Sequence, residues 1–411
     1  MEKHRFNYFA SCPTGLESIL EAELCTCGAR PGAAQRGGVP FETEDAMVAL
    51  KVLLRSRVAS RVFKLLYSFE AHNENSMYQD LADLKWKSII DDAQTFRLTT
   101  IYGRLPDGRA GFTNSQFTTL KAKDAIVDWF NHHTGARPSV DKERADVPLL
   151  LRIDDAGESL FKVQLLLDLT GEPLSQRGYR VSTTEAPLKE NLAAGVLLLA
   201  GWDPATEGLV DGMCGSGTFL AEAALIAGDV SPQWLRLRAW KKGARPWAFL
   251  ASQWFAKDKH LPGAFDHLAK EIMRADEAGL ARLREQRPIL VGHDLSTAAL
   301  RAARENMRAA GIEDLVPLSP KNAEDAEPHG PKCLFLANPP YGERLMADQA
   351  DDLKALYYGI GENWKKNWKG HRAVILTGNL PLLKAISLRT SRKLTLWNGD
   401  IECRLAEYAL Y

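Results

Sequence analysis

The second half of the chain alternates apolar strands with amphipathic helices, and this alternation constrains the fold more than any other feature. After the helical segment LKENLAAGVLLLAGW, a strand and a helix follow each other in GLVDGMCGSGTFLAEAALIAG and again in PILVGHDLSTAALRAARENMRAAGI. Two further apolar strands, CLFLANPP and HRAVILTGN, precede KLTLWNGDIECRLAEYALY, a pair of strands around Asn398-Gly399. This order predicts an α/β fold with a parallel doubly wound sheet and an antiparallel hairpin at its edge.

The first half predicts a mixture of strands and helices. HRFNYFASC alternates like a strand, and GLESILEAEL is amphipathic. AMVALKVLLRSRVASRVFKLL repeats apolar residues at three and four, which predicts one helix whose polar face is almost wholly basic. That face is interpreted either as a solvated surface or as a contact with nucleic acid, and the sequence leaves both open.

A second α+β unit follows. TFRLTTIYGR predicts a strand, NSQFTTLKAKDAIVDWFNHHTG a long helix that ends at Gly135, and LLLRIDD with SLFKVQLLLDLTG a hairpin. The segment QRGYRVSTT is polar and rich in turns, as linkers are. The predicted domains are an N-terminal domain (1–66), a second α+β domain (67–170), a linker (171–186) and a C-terminal domain (187–411) with an insertion (229–286).

Composition excludes some classes of protein. There is no run of 18 apolar residues and no apolar leader in MEKHRFNYFASCPTG, so we expect a cytoplasmic protein that does not engage a membrane. The six cysteines lack CxxC spacing, which predicts free thiols and no metal site. Lys plus Arg equals Asp plus Glu, at 52 each, but a local basic face suffices to bind nucleic acid.

A glycine turn follows the first strand of the C-terminal domain. It runs from Asp211 to Thr218, and glycines at such a turn let a ligand approach the backbone closely. Gly215 and Gly217 lack the third glycine of the dinucleotide fingerprint, and Asp211 would repel a pyrophosphate. The turn therefore favours a cationic cofactor without phosphate, such as S-adenosylmethionine, over a nicotinamide dinucleotide; a purely structural turn is the alternative.

The next strand ends in Asp294, which at that position would accept from the hydroxyls of a ribose. It lies much farther from the turn than the roughly 20 positions of a compact unit, which is why 229–286 is interpreted as an insertion. Tryptophans in the insertion alternate with Arg and Lys, either to stack on RNA or, as their spacing favours, to anchor the insertion to its domain. They are Trp234, Trp240, Trp247 and Trp254.

The strand CLFLA ends at the rigid corner Asn338-Pro339-Pro340-Tyr341. The Asn338 side-chain oxygen and the Pro339 carbonyl would each accept one hydrogen of an exocyclic base amine and direct its lone pair at a methyl donor. Tyr341 would stack on the flipped base. The reaction expected is attack by the amine nitrogen on a sulfonium methyl group, with the surplus proton lost to water and no metal required.

Taken together, these motifs resemble one family over essentially the whole chain. The chain is similar to the bacterial THUMP-domain guanine-N2 methyltransferases of 23S ribosomal RNA, a family also described as N6-adenine-specific DNA methylases. The resemblance rests on RVASRVFKLL, NSQFTTLKAKDAIVDWF, GARPSVD, LDLTGEPLSQRGYR, APLKENLAA, DGMCGSGTFLAEAA, ANPPYGERL and NGDIECRLAEY. QRGYR followed by APLKE is the most specific of these signals.

The resemblance implies a seven-stranded Rossmann-like class I methyltransferase domain, preceded by ferredoxin-like and THUMP domains that bind structured RNA. It assigns the cofactor to Asp211, Cys214, Gly215, Ser216, Gly217, Thr218, Asp294, Leu295, Asn322 and Ala323. Asn322 stands where the family usually has an acid, and Asp325 is an alternative. RNA contacts are expected from Lys121, Arg137, Arg177 and Arg180; Arg177 and Arg180 are alternatively ties between linker and core, or contacts to the cofactor carboxylate.

Two other functions remain open on the sequence alone. Adenine N6 in DNA is also an exocyclic amine on a flat ring, so the corner 338–341 does not separate it from guanine N2; the THUMP-like unit favours folded RNA. A non-catalytic RNA-binding assembly factor would need no intact corner. We expect 23S ribosomal RNA or its precursor as partner and no obligate protein partner. Some family members carry a second methyltransferase domain that this sequence lacks, so a single activity is expected.

Overall fold

The computed structural model describes residues 5–103, 111–112, 114–183, 187–340 and 350–411. Its strands form two seven-stranded sheets. The strands are β1 (Phe6–Ser11), β2 (Arg30–Pro31), β3 (Gly38–Thr43), β4 (Arg61–Ala71), β5 (Phe96–Tyr102), β6 (Val147–Gly157), β7 (Leu160–Asp168), β8 (Gly208–Asp211), β9 (Leu290–His293), β10 (Leu318–Ser319), β11 (Cys333–Ala337), β12 (Arg372–Thr377), β13 (Arg392–Asn398) and β14 (Ile401–Ala409).

The α-helices cover the sheets. They are α1 (Glu17–Cys27), α2 (Ala46–Arg55), α3 (Glu74–Ala82), α4 (Ser115–Thr134), α5 (Glu190–Leu199), α6 (Thr218–Ala227), α7 (Trp234–Lys241), α8 (Gln253–Ala256), α9 (Leu261–Gln286), α10 (Thr297–Ala309) and α11 (Ala350–Asn367). None of the helices in the described part of the chain has both the length and the apolar character that a membrane span requires.

One long strand unites the two N-terminal units in a single sheet. The order is β2-β3-β1-β4-β7-β6-β5, and β4 pairs antiparallel with β1 on one side and with β7 on the other. The pairing of β4 with β7 shifts register between Leu65 and Tyr67. The two units therefore share backbone hydrogen bonds along one element.

The single helix predicted for AMVALKVLLRSRVASRVFKLL is wrong in its second half. The helix α2 ends at Arg55, and β4 begins at Arg61. The alternation of Arg61-Val62-Phe63 suits a strand, and tertiary pairing with β1 and β7 overrides the helical spacing.

The basic residues of this segment contact protein. Arg55 donates to Asp229 (2.7 Å), the guanidinium of buried Arg57 donates to the Leu225 carbonyl (3.2 Å), and Arg61 pairs with Asp168. Arg55 and Arg57 thus fasten α2 to the C-terminal half of the chain. Neither the solvated-surface interpretation nor the nucleic-acid interpretation describes these contacts.

The second sheet has the order β10-β9-β8-β11-β12-β14-β13. Its first five strands are parallel, and β14 and β13 add an antiparallel hairpin, so the predicted sheet is confirmed. From β8 the chain proceeds first through β9 to β10 and then to β11 on the opposite side. Ligands of such sheets bind where the order reverses, at the carboxyl ends of the strands. In this sheet the order reverses at β8, which lies between β9 and β11.

The insertion between α6 and β9 is helical and carries its own aromatic core. Trp234 and Trp247 are buried, and the rings of Trp240 and Trp247 lie 5.2 and 6.1 Å from the ring of Phe265 in α9. The fourth tryptophan, Trp254, is partly buried. The anchoring interpretation of these tryptophans is therefore the one that their contacts support.

A buried ion pair joins the linker to the first helix after β8. The Arg177 guanidinium lies 3.4 Å from the carboxylate of Glu222 in α6, and both side chains are inaccessible to solvent at 1% and 0%. Arg177 also donates to the carbonyl of Arg57, and Tyr179 donates to Glu222 at 2.9 Å. N-terminal unit, linker and C-terminal domain therefore meet at one polar cluster inside the protein.

Replacing Arg177 by Ala should destabilise the fold by about 3–5 kcal/mol, because Glu222 would stay buried without its cation. Urea unfolding followed by circular dichroism measures the change, and the R177M/E222L double variant should recover much of it. Arg308→Ala removes an exposed pair between Arg308 of α10 and Glu313, which follows that helix, and should leave the midpoint unchanged. Equal midpoints for R177A and R308A would contradict the structural role of the cluster.

Candidate active site

The predicted strand, turn and helix around the glycine turn are confirmed. β8 ends at Asp211, and α6 begins at Thr218 after Gly217, whose φ of 82° is left-handed. A Cβ atom at Gly217 would lie 2.5 Å from the Met307 side chain, so α10 packs against the turn where only glycine fits. The helix N-terminus has no side-chain cap, which leaves its first N–H groups available to a ligand.

Asp211 is buried beneath this turn with half of its carboxylate unsatisfied. It is 1% exposed; its Oδ1 accepts from the Met213 N–H at 3.3 Å, and its Oδ2 has no hydrogen-bond partner among the described residues. Burial raises the pKa of Asp211 to about 8, and the nearby charge of Asp294 acts in the same direction. A ligand with a cationic group or N–H donors would supply the missing hydrogen bond to Oδ2. It would also stabilise the ionised carboxylate, which burial disfavours.

Asp294 stands at the end of β9 and braces the turn. Its Oδ2 accepts from the Gly215 N–H and its Oδ1 from the Ser296 N–H, both at 2.9 Å. The Cys214 N–H donates to the His293 carbonyl at 2.8 Å, a second tie between the turn and β9. Each carboxylate oxygen keeps lone pairs for a further donor. The neighbouring Leu295 is 68% exposed, an apolar surface beside this acid.

Asn322 and Ala323 begin a short 3-10 helix near the end of β10. The Asn322 oxygen accepts only a long bond from the Glu324 N–H, at 3.4 Å, so it keeps capacity for another donor. Ala323 is buried. Asn363 of α11 donates to the Ala326 carbonyl at 2.8 Å, and this hydrogen bond connects the segment to α11. Asp325, the alternative, is exposed.

Asn338 lies at the same edge of the sheet as the glycine turn. Leu336 of β11 is in register with Asp211 of β8, and the Gly212 N–H donates to the Leu336 carbonyl at 2.9 Å. Two residues further on, the Oδ1 of Asn338 is shielded from solvent and has no partner among the described residues. Pro339 is buried and Pro340 exposed. Tyr341 lies outside the described residues.

Asp211 Oδ2 and Asn338 Oδ1, at the ends of adjacent strands of this edge, are therefore buried acceptors without a hydrogen-bond partner among the described residues. Buried polar groups are nearly always hydrogen-bonded, and each exception costs about 1–3 kcal/mol. Asp211 is the last residue of β8, and Asn338 directly follows the last residue of β11. These two strands pair in parallel, so both acceptors lie at the same edge of the sheet. The arrangement suits a ligand, or two ligands, with N–H donors.

The four residues predicted to bind RNA fall into two groups. Lys121 lies on α4 with its ammonium 4.9 Å from the ring centre of Tyr78, and Arg137 is exposed in the loop after α4. The position of Arg177 contradicts an RNA contact, because its guanidinium is buried. Arg180 is mostly enclosed, and its hydrogen bonds are made within the protein. For both arginines, the alternative that they tie the linker to the core describes the contacts.

Sequence reasoning missed Asn306 of α10. Its side chain is 1% exposed and bonds both the linker and the Ser216 carbonyl. The signal was available, because Asn306 falls on the helix stripe occupied by Leu300, Ala303 and Met307, which are all buried. A polar residue at an apolar position of an amphipathic helix marks a specific buried contact.

Family models match three parts of the chain. Residues 7–63 match a model described as the RlmL ferredoxin-like domain, residues 71–157 match the THUMP domain, and residues 177–407 match an RMKL-like methyltransferase domain. The last match covers more than half of the chain. The predicted family, with its ferredoxin-like and THUMP units before a methyltransferase domain, is thereby confirmed.

Known proteins resemble the chain over its whole length. One relative is the ribosomal RNA large subunit methyltransferase K/L of Syntrophotalea carbinolica, which is 37% identical over 98% of this chain. The match covers 53% of that relative, so the chain spans about half the length of the curated relatives it matches. The crystal structure of SMU.472 complexed with SAH is 26% identical, with a TM-score of 0.78 over 100% of this chain and 99% of that one. The crystal structure described as that of a "possible methylase" from Clostridium difficile 630 shares the fold, with a TM-score of 0.80 at 23% identity over 99% of both chains.

Burial of Asp211 predicts a pH-dependent stability. The unfolded carboxyl has a pKa of about 3.9, and the folded one of about 8, so between these values the folded state holds one proton more. Asp211 therefore lowers the free energy of unfolding as pH rises through this window. Asn at this position stays neutral at every pH.

The difference in thermal midpoint between D211N and the unaltered protein should thus move in favour of D211N from pH 5 to pH 8.5. Differential scanning calorimetry without ligand measures it. A difference that stays constant over this range would show that the carboxyl is ionised throughout.

Proposed function

Because the chain belongs to the family of RMKL-like methyltransferases, we propose that it transfers a methyl group from S-adenosylmethionine to the exocyclic N2 amine of a guanine in 23S ribosomal RNA. The observation that carries the proposal is the shielded Oδ1 of Asn338, which has no hydrogen-bond partner within the described part of the chain, next to a glycine turn where the Oδ2 of Asp211 also has none there. The name of the K/L relatives supports ribosomal RNA as substrate, and SAH in the SMU.472 structure supports the cofactor.

The residues around the turn suit this cofactor. S-adenosylmethionine supplies an electrophilic methyl group on a sulfonium centre. Asp211 would accept from its ammonium group, and the first N–H groups of α6, from Thr218 onward, would face its carboxylate end. Asp294 would accept from the ribose hydroxyls, with Leu295, Asn322 and Ala323 around the adenine. The missing third glycine and the acid at the turn speak against a dinucleotide.

The corner at the end of β11 would hold the base. The Asn338 Oδ1 and the Pro339 carbonyl would accept the two hydrogens of the amine, which localises the nitrogen lone pair and directs it at the methyl group. Pro339 and Pro340 restrict the backbone that carries the two acceptors. The relative position of these acceptors is therefore fixed before the substrate binds. No residue needs to remove the proton first, since the methylated amine loses it to water.

The N-terminal sheet and its helices would bind the RNA. The THUMP match at 71–157 supports folded RNA, which proteins recognise by shape, ends and splayed bases. Lys121 and Arg137 are the two predicted contacts on the surface of this unit. Asn338 would then bind the guanine presented to it, beside the cofactor held by Asp211 and Asp294.

Asn338→Ala should reduce methyl transfer about 10²–10³-fold, because one preorganised acceptor is lost, while the affinity for SAH stays within twofold. Single-turnover methylation and isothermal calorimetry measure the two quantities. Asn367→Ala, an exposed asparagine at the end of α11, is the matched control and should keep full activity. Full activity of N338A would remove the assigned role.

The substrate is tested directly by transfer of radiolabelled methyl groups to protein-free 23S RNA, total transfer RNA and duplex DNA. Nucleoside digestion and mass spectrometry of the 23S product should yield N2-methylguanosine. N6-methyladenine in the DNA sample would establish the alternative activity. Saturable cofactor binding without transfer to any nucleic acid would instead point to a non-catalytic RNA-binding factor.

A further inference from the structure

The guanidinium of Arg180 lies against the side chains of the glycine turn. Its Nη1 donates to Ser216 Oγ and its Nη2 to Thr218 Oγ1, each at 3.0 Å. It also donates to Glu190 Oε1 and to the Leu188 carbonyl, both at 2.8 Å. A single linker residue thus holds both hydroxyls that flank Gly217.

Asn306 holds the same linker and turn from α10. Its oxygen accepts from the N–H groups of Val181 and Ser182 at 2.9 and 3.0 Å. Its nitrogen donates to the carbonyls of Ser182 and Ser216 at 2.9 and 3.0 Å. The amide group has two donors and two acceptor sites, and all four are used. Linker and turn are therefore bonded to each other and to a common support.

These contacts orient the hydroxyl groups of the turn. Ser216 and Thr218 accept from Arg180, so their own hydrogens are directed away from the guanidinium. The first N–H groups of α6 have no side-chain cap, and the positive end of the helix dipole lies at the same place. Hydrogen-bond donors and the positive end of the helix dipole therefore lie together where the turn meets α6. Asp211, buried beneath the turn, contributes a hydrogen-bond acceptor instead.

We propose that Arg180 and Asn306 are positioning residues that hold residues 216–218 as a receptor for the carboxylate of the aminocarboxyl group of S-adenosylmethionine, with Asp211 facing its ammonium. The inference rests on the proposed function, because it specifies how that cofactor site distinguishes one part of its ligand. Neither residue contacts the reacting atoms. Arg180 is thereby assigned to the cofactor rather than to RNA.

A purely structural role would have a different signature. If Arg180 only stabilised the fold, its loss would weaken every ligand of the domain alike. If it positions the turn, only ligands that carry the aminocarboxyl group are affected. 5′-Methylthioadenosine retains the adenosine part and lacks this group, which makes it the matched probe for SAH.

Calorimetric titration of R180A with both probes tests the proposal. The dissociation constant for SAH should rise about 10–100-fold, as expected from the loss of several charge-assisted hydrogen bonds, and that for 5′-methylthioadenosine less than twofold. Arg180→Lys keeps the charge but cannot reach all four acceptors, so it should give an intermediate SAH constant. Arg308→Ala, an exposed arginine of α10, should change neither constant.

Equal weakening of both probes, or no weakening of SAH, would overturn the proposal. If R180A does not fold, the same ratio measured on R180K decides. Failure of the cofactor assignment on which the proposed function depends is recognised separately, because the unaltered protein would then bind neither probe. Tight SAH binding by the unaltered protein with an unchanged ratio in the variants would leave the proposed function intact and refute only this inference.

Discussion

The site depends on two acceptor atoms at the carboxyl edge of the second sheet, whose burial costs free energy. Asp211 Oδ2 and Asn338 Oδ1 are shielded from solvent and have no partner among the described residues. An isolated fold gains nothing from such atoms, since each forfeits its hydrogen bonds to water. They persist because the parallel register of β8 and β11 and the prolines after Asn338 hold them in place. Ligands that donate to these acceptors, a cofactor to Asp211 and a base to Asn338 in the proposed function, would recover this free energy on binding.

Polar contacts connect the rest of the molecule to this edge. Arg57, Arg177 and Glu222 form a buried cluster between the N-terminal units, the linker and α6. Arg55 reaches Asp229 at the base of the insertion. The helix α6 that carries Glu222 also begins at the glycine turn. The N-terminal sheet is therefore connected to the turn through a short series of buried polar contacts, and the linker between them is packed rather than extended.

The parts of the site that could be predicted from sequence are local in the chain. The strand, turn and helix around Asp211 and the corner after β11 depend on glycines and prolines whose backbone preferences act within a few residues. The acid at Asp294 followed from its place at a strand end. The predicted sheet rests on the same alternation of strands and helices.

The parts that could not be predicted depend on distant partners. Arg177 and Glu222 are 45 positions apart, and nothing in one sequence indicates that a basic linker residue is buried against α6 rather than exposed to RNA. The segment after Arg55 has apolar spacing that fits a helix, and only pairing with β1 and β7 makes it a strand. The stripe of buried residues on α10 marks Asn306 as a buried polar residue, and Arg180 was named from the linker motif, but only the structure shows that both contact Ser216.

The most direct measurement is a crystal structure of the protein with SAH and a guanine-containing oligonucleotide. We expect the guanine N2 atom within about 2.7–3.2 Å of Asn338 Oδ1, and the ammonium of SAH within the same range of Asp211 Oδ2. A complex in which either oxygen stays unpaired, or in which the base lies away from β11, would contradict this expectation.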